Sequence, residues 1–227
     1  MEWLTVLGLG FLLGMKHSTD ADHVVAVTTI VSTQKKLSLA SKIGMIWGFG
    51  HTLTILVIGS AIIYLQFSIS PALGLSMEFS VGVMIVILGL WSLQKFVFHG
   101  HAHRNQAHAV QAASTDKLPG WIRPLIVGLI HGMAGSAAVA LLVLNAISNQ
   151  KLAFVYLLIF GLGTVAGMML VTVLIGLPYI YSKNIQSLNR GLGIATAVFS
   201  IGFGLLMMYE LGFENGLFTG HPVWTPE

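Results

Sequence analysis

The sequence contains no cysteine, which removes two kinds of chemistry at once: no disulfide can staple the fold and no thiolate can act as nucleophile or metal ligand. A metal ion would have to be held by imidazole, carboxylate, carbonyl or thioether groups, and histidine is the best suited of the residues that supply them. Charge is scarce as well. Asp, Glu, Lys and Arg make up 8% of the chain against 55% hydrophobic residues, where an ordinary soluble domain carries roughly 25% charged residues. With a mean hydropathy of +0.84, the composition excludes a soluble globule and indicates an integral membrane protein. The long apolar runs show no period-two alternation, so a transmembrane barrel is excluded too. Neither a nucleotide-binding motif nor H-E-x-x-H is present.

Six apolar stretches are long enough to cross the hydrocarbon core: Trp3 to Ser32, Lys42 to Phe67, Leu75 to Phe98, Trp121 to Ser148, Leu152 to Tyr181 and Leu188 to Phe213. The first has neither the basic leader nor the small-residue cleavage site of a signal peptide, and it is expected to be a mature helix. Lys35, Lys36 and Lys42 lie around the first connection, Lys95, Arg104, Lys117 and Arg123 around the third, and Lys183 and Arg190 around the fifth. Against these nine, the even-numbered connections hold only Lys151. The positive-inside rule therefore places both termini outside and the odd-numbered connections in the cytoplasm. The formal net charge of +3 is accounted for by these loops and calls for no nucleic-acid partner.

An internal repeat organises the helices. "GMKHSTDADHVVAV" from Gly14 aligns with "GLIHGMAGSAAVAL" from Gly128, setting His17 opposite His131 at an offset of 114. "IWGFGHTLTILVIG" from Ile46 aligns with "IFGLGTVAGMMLVT" from Ile159 at an offset of 113, setting His51 opposite Thr164. Three helices per unit is an odd number, so the second unit is expected to be inverted relative to the first, as in many carriers with a site at the repeat interface. The expected fold is all-α: a polytopic membrane protein of six transmembrane helices in two inverted three-helix repeats. Residues 1–98 form the first repeat, 99–120 a polar connection and 121–227 the second repeat. Glycines at Gly48 to Gly50, Gly132 to Ala138 and Gly161 to Gly163 suit close helix packing.

Ionisable groups are costly inside a membrane and mark function by default. Here they converge on one depth: His17, Asp20, Asp22 and His23 in the first span, His51 in the second and His131 in the fourth. On a regular helix at about 100° per residue, His17, Asp20 and His23 share one face, whereas Asp22 points about 140° away from His17. Either the helix is unwound here and Asp22 joins the others, or Asp22 orients an imidazole from His51 or His131. Imidazole and carboxylate without thiolate suit a divalent ion of the later first transition row, with affinity falling in acid as protons compete for the rings. His99, His101, His103 and His108 in the connection form a second, accessory cluster fit for metal capture, expected to matter less than His17.

The run "HSTDADH", His17 to His23, has the H-x4-D-H pattern and resembles the signature of the nickel/cobalt transporter family. The short six-helix form, with "HGMAGSAA" in the fourth span, is similar to its urease-accessory-protein-H-like branch. The resemblance implies a permease for Ni²⁺, with Co²⁺ as the second cargo, and with His17, Asp22 and His23 essential and Asp20 part of the usual pattern. "GFGHT" around His51 resembles the family's glycine-histidine motif, whose histidine affects ion choice. The family's extra N-terminal helix and its later acidic signatures are not found here.

The expected function is thus a membrane permease of the inner or plasma membrane, using His17, Asp20, Asp22, His23, His51 and His131, with no cofactor beyond the ion carried. The resemblance favours uptake, with efflux as the other direction. Implied partners are the ion, the bilayer, and a cytoplasmic metallochaperone or urease and hydrogenase maturation factors. The alternatives are an intramembrane metalloenzyme, with Asp20 or Asp22 as general base, and a metal-sensing or accessory membrane subunit.

Overall fold

The computed structural model describes residues 2–34, 36–65, 69–98, 119–133, 147, 149–182 and 184–224, and every regular element among them is helical. In chain order they are α1 (Glu2–His17), α2 (Ala21–Val31), α3 (Leu37–Leu65), α4 (Pro71–Phe98), α5 (Ile122–His131), α6 (Gln150–Ser182) and α7 (Gln186–Tyr209). A π-helical turn, Glu210–Glu214, continues α7. The helices α3, α4, α6 and α7 with its π turn are each long and apolar enough to cross a bilayer. Helices are the form to expect, because a backbone in lipid must satisfy its own hydrogen bonds. Leu12, Phe49, Val57, Leu162 and Leu206 stand exposed on their outer faces, as a lipid-facing surface requires. The chain is a polytopic helical membrane protein.

The stretch expected as one span, Trp3 to Ser32, is two helices. After His17 the chain leaves the α-helical pattern for Ser18 to Asp20 and resumes at Ala21. The cause is local. Ser18 Oγ donates to the Met15 carbonyl at 2.6 Å and Thr19 Oγ1 to that of Lys16 at 2.6 Å. The amides of Thr19 and Asp20 fall back on the carbonyls of Lys16 and His17, at 2.8 and 3.1 Å. Short polar side chains that compete for the backbone in this way tighten and end a helix. Asp20 is then extended (φ −62°, ψ 150°), and its carbonyl receives the Val24 amide at 3.0 Å to begin α2. Of the fourth expected span, α5 and the turn after it are described, while residues 134–146 lie outside the described set.

Glycines bring the helices together at backbone distance. In the parallel pair α1 and α6, a Cβ on Gly14 would meet the Phe160 carbonyl and the Thr164 amide, and one on Gly163 would meet the Phe11 carbonyl. In the parallel pair α5 and α3, a Cβ on Gly128 would meet the Trp47 carbonyl and the His51 amide, and one on Gly50 the Leu125 carbonyl. These are the same contacts displaced along the chain, by 114 from Gly14 to Gly128 and from Phe11 to Leu125, and by 113 from Trp47 to Phe160, His51 to Thr164 and Gly50 to Gly163. At the centre α3 and α6 cross antiparallel: Gly48 meets Val165, and Thr52 Oγ1 donates to the Gly161 carbonyl at 3.1 Å. Beside them α4 and α7 are also antiparallel, with Gly82 near Met208, Gly89 near Ile201, and Ser200 Oγ donating to the Ile85 carbonyl at 3.2 Å.

Two buried apolar clusters result. One gathers Val25, Ile30, Trp47, Ile85 and Met168, the other Ile55, Tyr156, Leu157 and Phe160. Beyond the helices, Trp224 folds back so that its Nε1–H donates to Glu78 at 2.8 Å, and the turn that allows it passes through Gly216 at φ +83°.

Because Gly14 and Gly128 face carbonyls that cannot swing aside, Gly14→Val and Gly128→Val should each lower stability by about 1–3 kcal/mol. Gly8→Ala is the control, since a Cβ there meets nothing within 4 Å, and it should be neutral or stabilising by up to about 1 kcal/mol. Unfolding of the purified protein in detergent measures both. Equal stability of all three variants would contradict the packing described.

Candidate metal centre

Four imidazoles from four helices meet in the interior. His17 ends α1, His23 lies in the first turn of α2, His51 is mid-way along α3 and His131 ends α5. Their ring centroids are 4.5 Å apart for His17 and His23, 5.1 Å for His17 and His51, 5.0 Å for His23 and His51, and 4.1 Å for His23 and His131. His23 is 1% exposed and His51 and His131 are fully buried. The break after His17 produces this convergence, since it turns α2 so that His23 stays with His17 while Asp22 faces α5.

Asp22 is the organising group. Its Oδ1 accepts the His23 backbone N–H at 2.8 Å and the His23 ring at Nδ1, 2.9 Å, while its Oδ2 accepts the His131 ring at Nε2, 2.9 Å. An ionised carboxylate can only accept, so both ring nitrogens must carry hydrogens and the opposite nitrogens must present lone pairs. On the other flank, Asp20 Oδ2 accepts from His17 Nδ1 at 2.8 Å, which leaves His17 Nε2 as a lone pair. It faces His51 Nε2 at 3.0 Å. The proton on His51 Nε2 is shared with His17 Nε2, and His51 then carries its free lone pair on Nδ1.

The accounting leaves His23 Nε2, His51 Nδ1 and His131 Nδ1 buried with no partner among the described residues. Buried nitrogens are rarely left so. Two sets of candidate ligand atoms stand within 4.8 Å of one another, His17 with His23 and His51, and Asp22 with His23 and His131. Metal–nitrogen bonds of about 2.0–2.1 Å place neighbouring donors about 3 Å apart, close to the His17–His51 separation. All six residues singled out in the sequence are thus together, in unequal positions. Asp20, with 42% of its side chain exposed, stands at the rim, whereas Asp22, at 15%, lies within. His99, His101, His103 and His108 lie outside the described residues.

Two aromatic neighbours were not anticipated. Trp47 stacks on His23 at 5.8 Å and lies 5.5 Å from His131, while Phe160 lies 5.7 Å from His17. The repeat alignment had already set Trp47 opposite Phe160, which was the available signal.

A urease accessory protein, UreH of Bacillus sp. strain TB-90, is similar to the chain at 40% identity over 221 residues, covering 96% of each. The chain belongs to the UreH family. A chloroplast protein for growth and fertility from Arabidopsis thaliana is 25% identical over 89% of the chain and 62% of its own length. A Methanocaldococcus jannaschii protein whose name assigns it to nickel/cobalt efflux is 28% identical over 67% of each. No family model matches, and no solved structure matches. The UreH relation and the nickel/cobalt name agree with the resemblance drawn from H-x4-D-H.

In this UreH-family chain a first-row divalent ion would find imidazole lone pairs already aimed by two carboxylates. Asp22→Asn keeps the size of the side chain but sets an amide –NH₂ against one of the ring N–H groups, undoing the fixed tautomers. Loss of such an orienting partner should weaken Ni²⁺ binding by about 10–100-fold, with the protein still folded. Calorimetric titration beside thermal unfolding tests this, and unchanged affinity would remove Asp22 from the orienting role.

Proposed function

We propose that this chain is a permease for a divalent first-row transition-metal ion, Ni²⁺ foremost and Co²⁺ second, and that the buried histidine cluster is the site at which the ion pauses at mid-depth. The observation that carries this reading is the convergence of buried imidazoles from four helices, oriented by Asp20 and Asp22, with His23 Nε2, His51 Nδ1 and His131 Nδ1 left without a partner among the described residues. Histidines that served only to hold helices together would use both nitrogens in hydrogen bonds. Here His17 uses both of its nitrogens, on Asp20 and on His51, whereas His23, His51 and His131 each keep one without a partner among the described residues.

In the ion-bound state His17, His23 and His51 supply imidazole nitrogens. For His17 and His51 both to bind through Nε2, the His51 proton moves from Nε2 to the free Nδ1 with no net release, and acid opposes loading by protonating the ring nitrogens that the ion needs. Asp22 holds His23 and ties it to His131. His51, aligned with Thr164 in the other half, contributes a ligand that its counterpart cannot.

Alternating access is assigned to two inverted units, 1–98 and 121–227, moving against one another about the α3–α6 crossing. The matched contacts of Gly14 with Phe160 and of Gly128 with Trp47 support this division. Both termini are placed outside and the connection 99–120 inside, from the distribution of Lys and Arg. There His99, His101, His103 and His108 would hand the ion to a metallochaperone or a metalloenzyme maturation factor. Uptake is the direction favoured by the UreH relation. The relatives' names denote an accessory protein and an efflux system rather than an enzyme, and no catalytic role is assigned to the cluster.

The test is time-resolved Ni²⁺ accumulation in proteoliposomes, beside empty liposomes and the variants His17→Ala, His23→Ala and His51→Ala. Wild-type protein should accumulate Ni²⁺, with Co²⁺ but not Mg²⁺ competing. Each variant should fall to the empty-liposome level while remaining monodisperse. Transport by His17→Ala at the wild-type rate would sink the assignment of the site.

A further inference from the structure

We propose that Trp47 and Phe160 are the two gates of the ion site along the α3–α6 axis, each closing it toward a different face of the membrane. This rests on the permease reading above and adds two residues to it.

The placement follows from the crossing of α3 and α6. Thr52 meets Gly161 and Gly48 meets Val165, so the centre of the crossing lies between these contacts, at the level of His51 and Thr164. Trp47 stands one turn before His51 on α3 and Phe160 one turn before Thr164 on α6. In an antiparallel pair, one turn back along each helix leads in opposite directions. Phe160 therefore lies toward the face where α1 and α6 begin, and Trp47 toward the face where α2 ends and α3 begins.

Each ring rests directly on the cluster. Phe160 covers His17 at 5.7 Å, and Trp47 covers His23 at 5.8 Å, only 23° from coplanar, and His131 at 5.5 Å. Behind each ring is apolar packing. Phe160 belongs to the apolar cluster of Ile55, Tyr156 and Leu157, and Trp47 to that of Val25, Ile30 and Met168. One turn beyond Phe160, Tyr156 closes on Gly10 of α1. Trp47 is 1% and Phe160 4% exposed, so each ring is buried on its own side of the cluster along the α3–α6 axis, while Asp20 stands at the rim. A hydrated cation cannot pass such apolar packing, so passage along this axis requires one ring at a time to leave its place.

The same positions also carry the tight helix contacts. Gly14 sits on the Phe160 carbonyl and Gly128 on the Trp47 carbonyl. A shift of α1 against α6 would move Phe160 from His17, and the equivalent shift of α5 against α3 would move Trp47 from His131. Gate and hinge contact thus share one residue in each half, and the halves are related by the displacement of 113 that links Trp47 to Phe160.

Because the sequence has no cysteine, a single introduced thiol is the only one present. His51→Cys places it in the cluster, and reaction with a membrane-impermeant cationic methanethiosulfonate is followed from either side of vesicles holding the full chain in known orientation. With both rings in place the thiol should react slowly from both sides. Adding Phe160→Ala should speed reaction by about tenfold or more from the face where α1 begins and leave the other face unchanged. Trp47→Ala should do the reverse, and Phe160→Tyr and Trp47→Phe should restore slow reaction. Acceleration from both faces by either alanine variant, or from neither, would overturn the proposal. Thermal unfolding identifies a variant that has merely loosened, and for it the milder Phe160→Leu or Trp47→Leu carries the same sided expectation. The readout involves no ion and no flux, so a protein that failed to carry Ni²⁺ would still reveal whether the gates are sided.

Discussion

A carboxylate buried among apolar helices must be satisfied by donors from its own protein, because the surrounding lipid offers none. Placing an ionised Asp at the centre of a membrane helix costs roughly 2.5–3.5 kcal/mol even when the surroundings can relax. Asp22 meets this constraint with three hydrogen bonds, from the His23 backbone, the His23 ring and the His131 ring. The remaining features of the centre follow from it. The rings are held in one tautomer, their spare nitrogens point away from the carboxylate, and α2 is tied to α5 across the protein. Without the break at Ser18 to Asp20 a regular helix would send Asp22 elsewhere and the arrangement would fail. The irregular backbone is therefore a requirement of the site.

Close packing supplies the other half of the account. Lipid gives helices no hydrophobic reason to associate, so contact area and hydrogen bonds must serve. Glycines at Gly14, Gly50, Gly128 and Gly163 bring backbones together at the level of the cluster, and Thr52 Oγ1 and Thr54 Oγ1 bond to carbonyls of neighbouring helices. Such interfaces are smooth and allow sliding more readily than interlocked large side chains. A carrier needs both properties at one place, a rigid donor set and helices able to shift about it.

Much of this was readable from the chain alone. Composition sufficed for the membrane, and the depth at which His17, His23, His51 and His131 fall sufficed to group them. The role of Asp22 was readable only as a choice between two roles, because that choice depends on whether the helix is regular. No proline or glycine marks the break. It arises from Ser18 and Thr19 turning back on their own helix, a competition whose outcome depends also on what Asp22 gains from the distant His131 ring. Trp47 and Phe160 are visible in the sequence only as aligned residues, since stacking on an imidazole is a tertiary fact. The Asp22–His131 bond joins residues 109 apart in sequence, and periodicity within one helix carries no information about it.

The most direct test of the account is X-ray absorption at the nickel K edge on the purified protein loaded with one equivalent of Ni²⁺, beside His51→Ala and His17→Ala. The account predicts the outer-shell scattering of several imidazole rings in the wild-type protein and fewer rings in each variant. A shell of oxygen donors with no imidazole scattering, or a spectrum unchanged by either substitution, would contradict the claim that the buried histidines are where the ion is held.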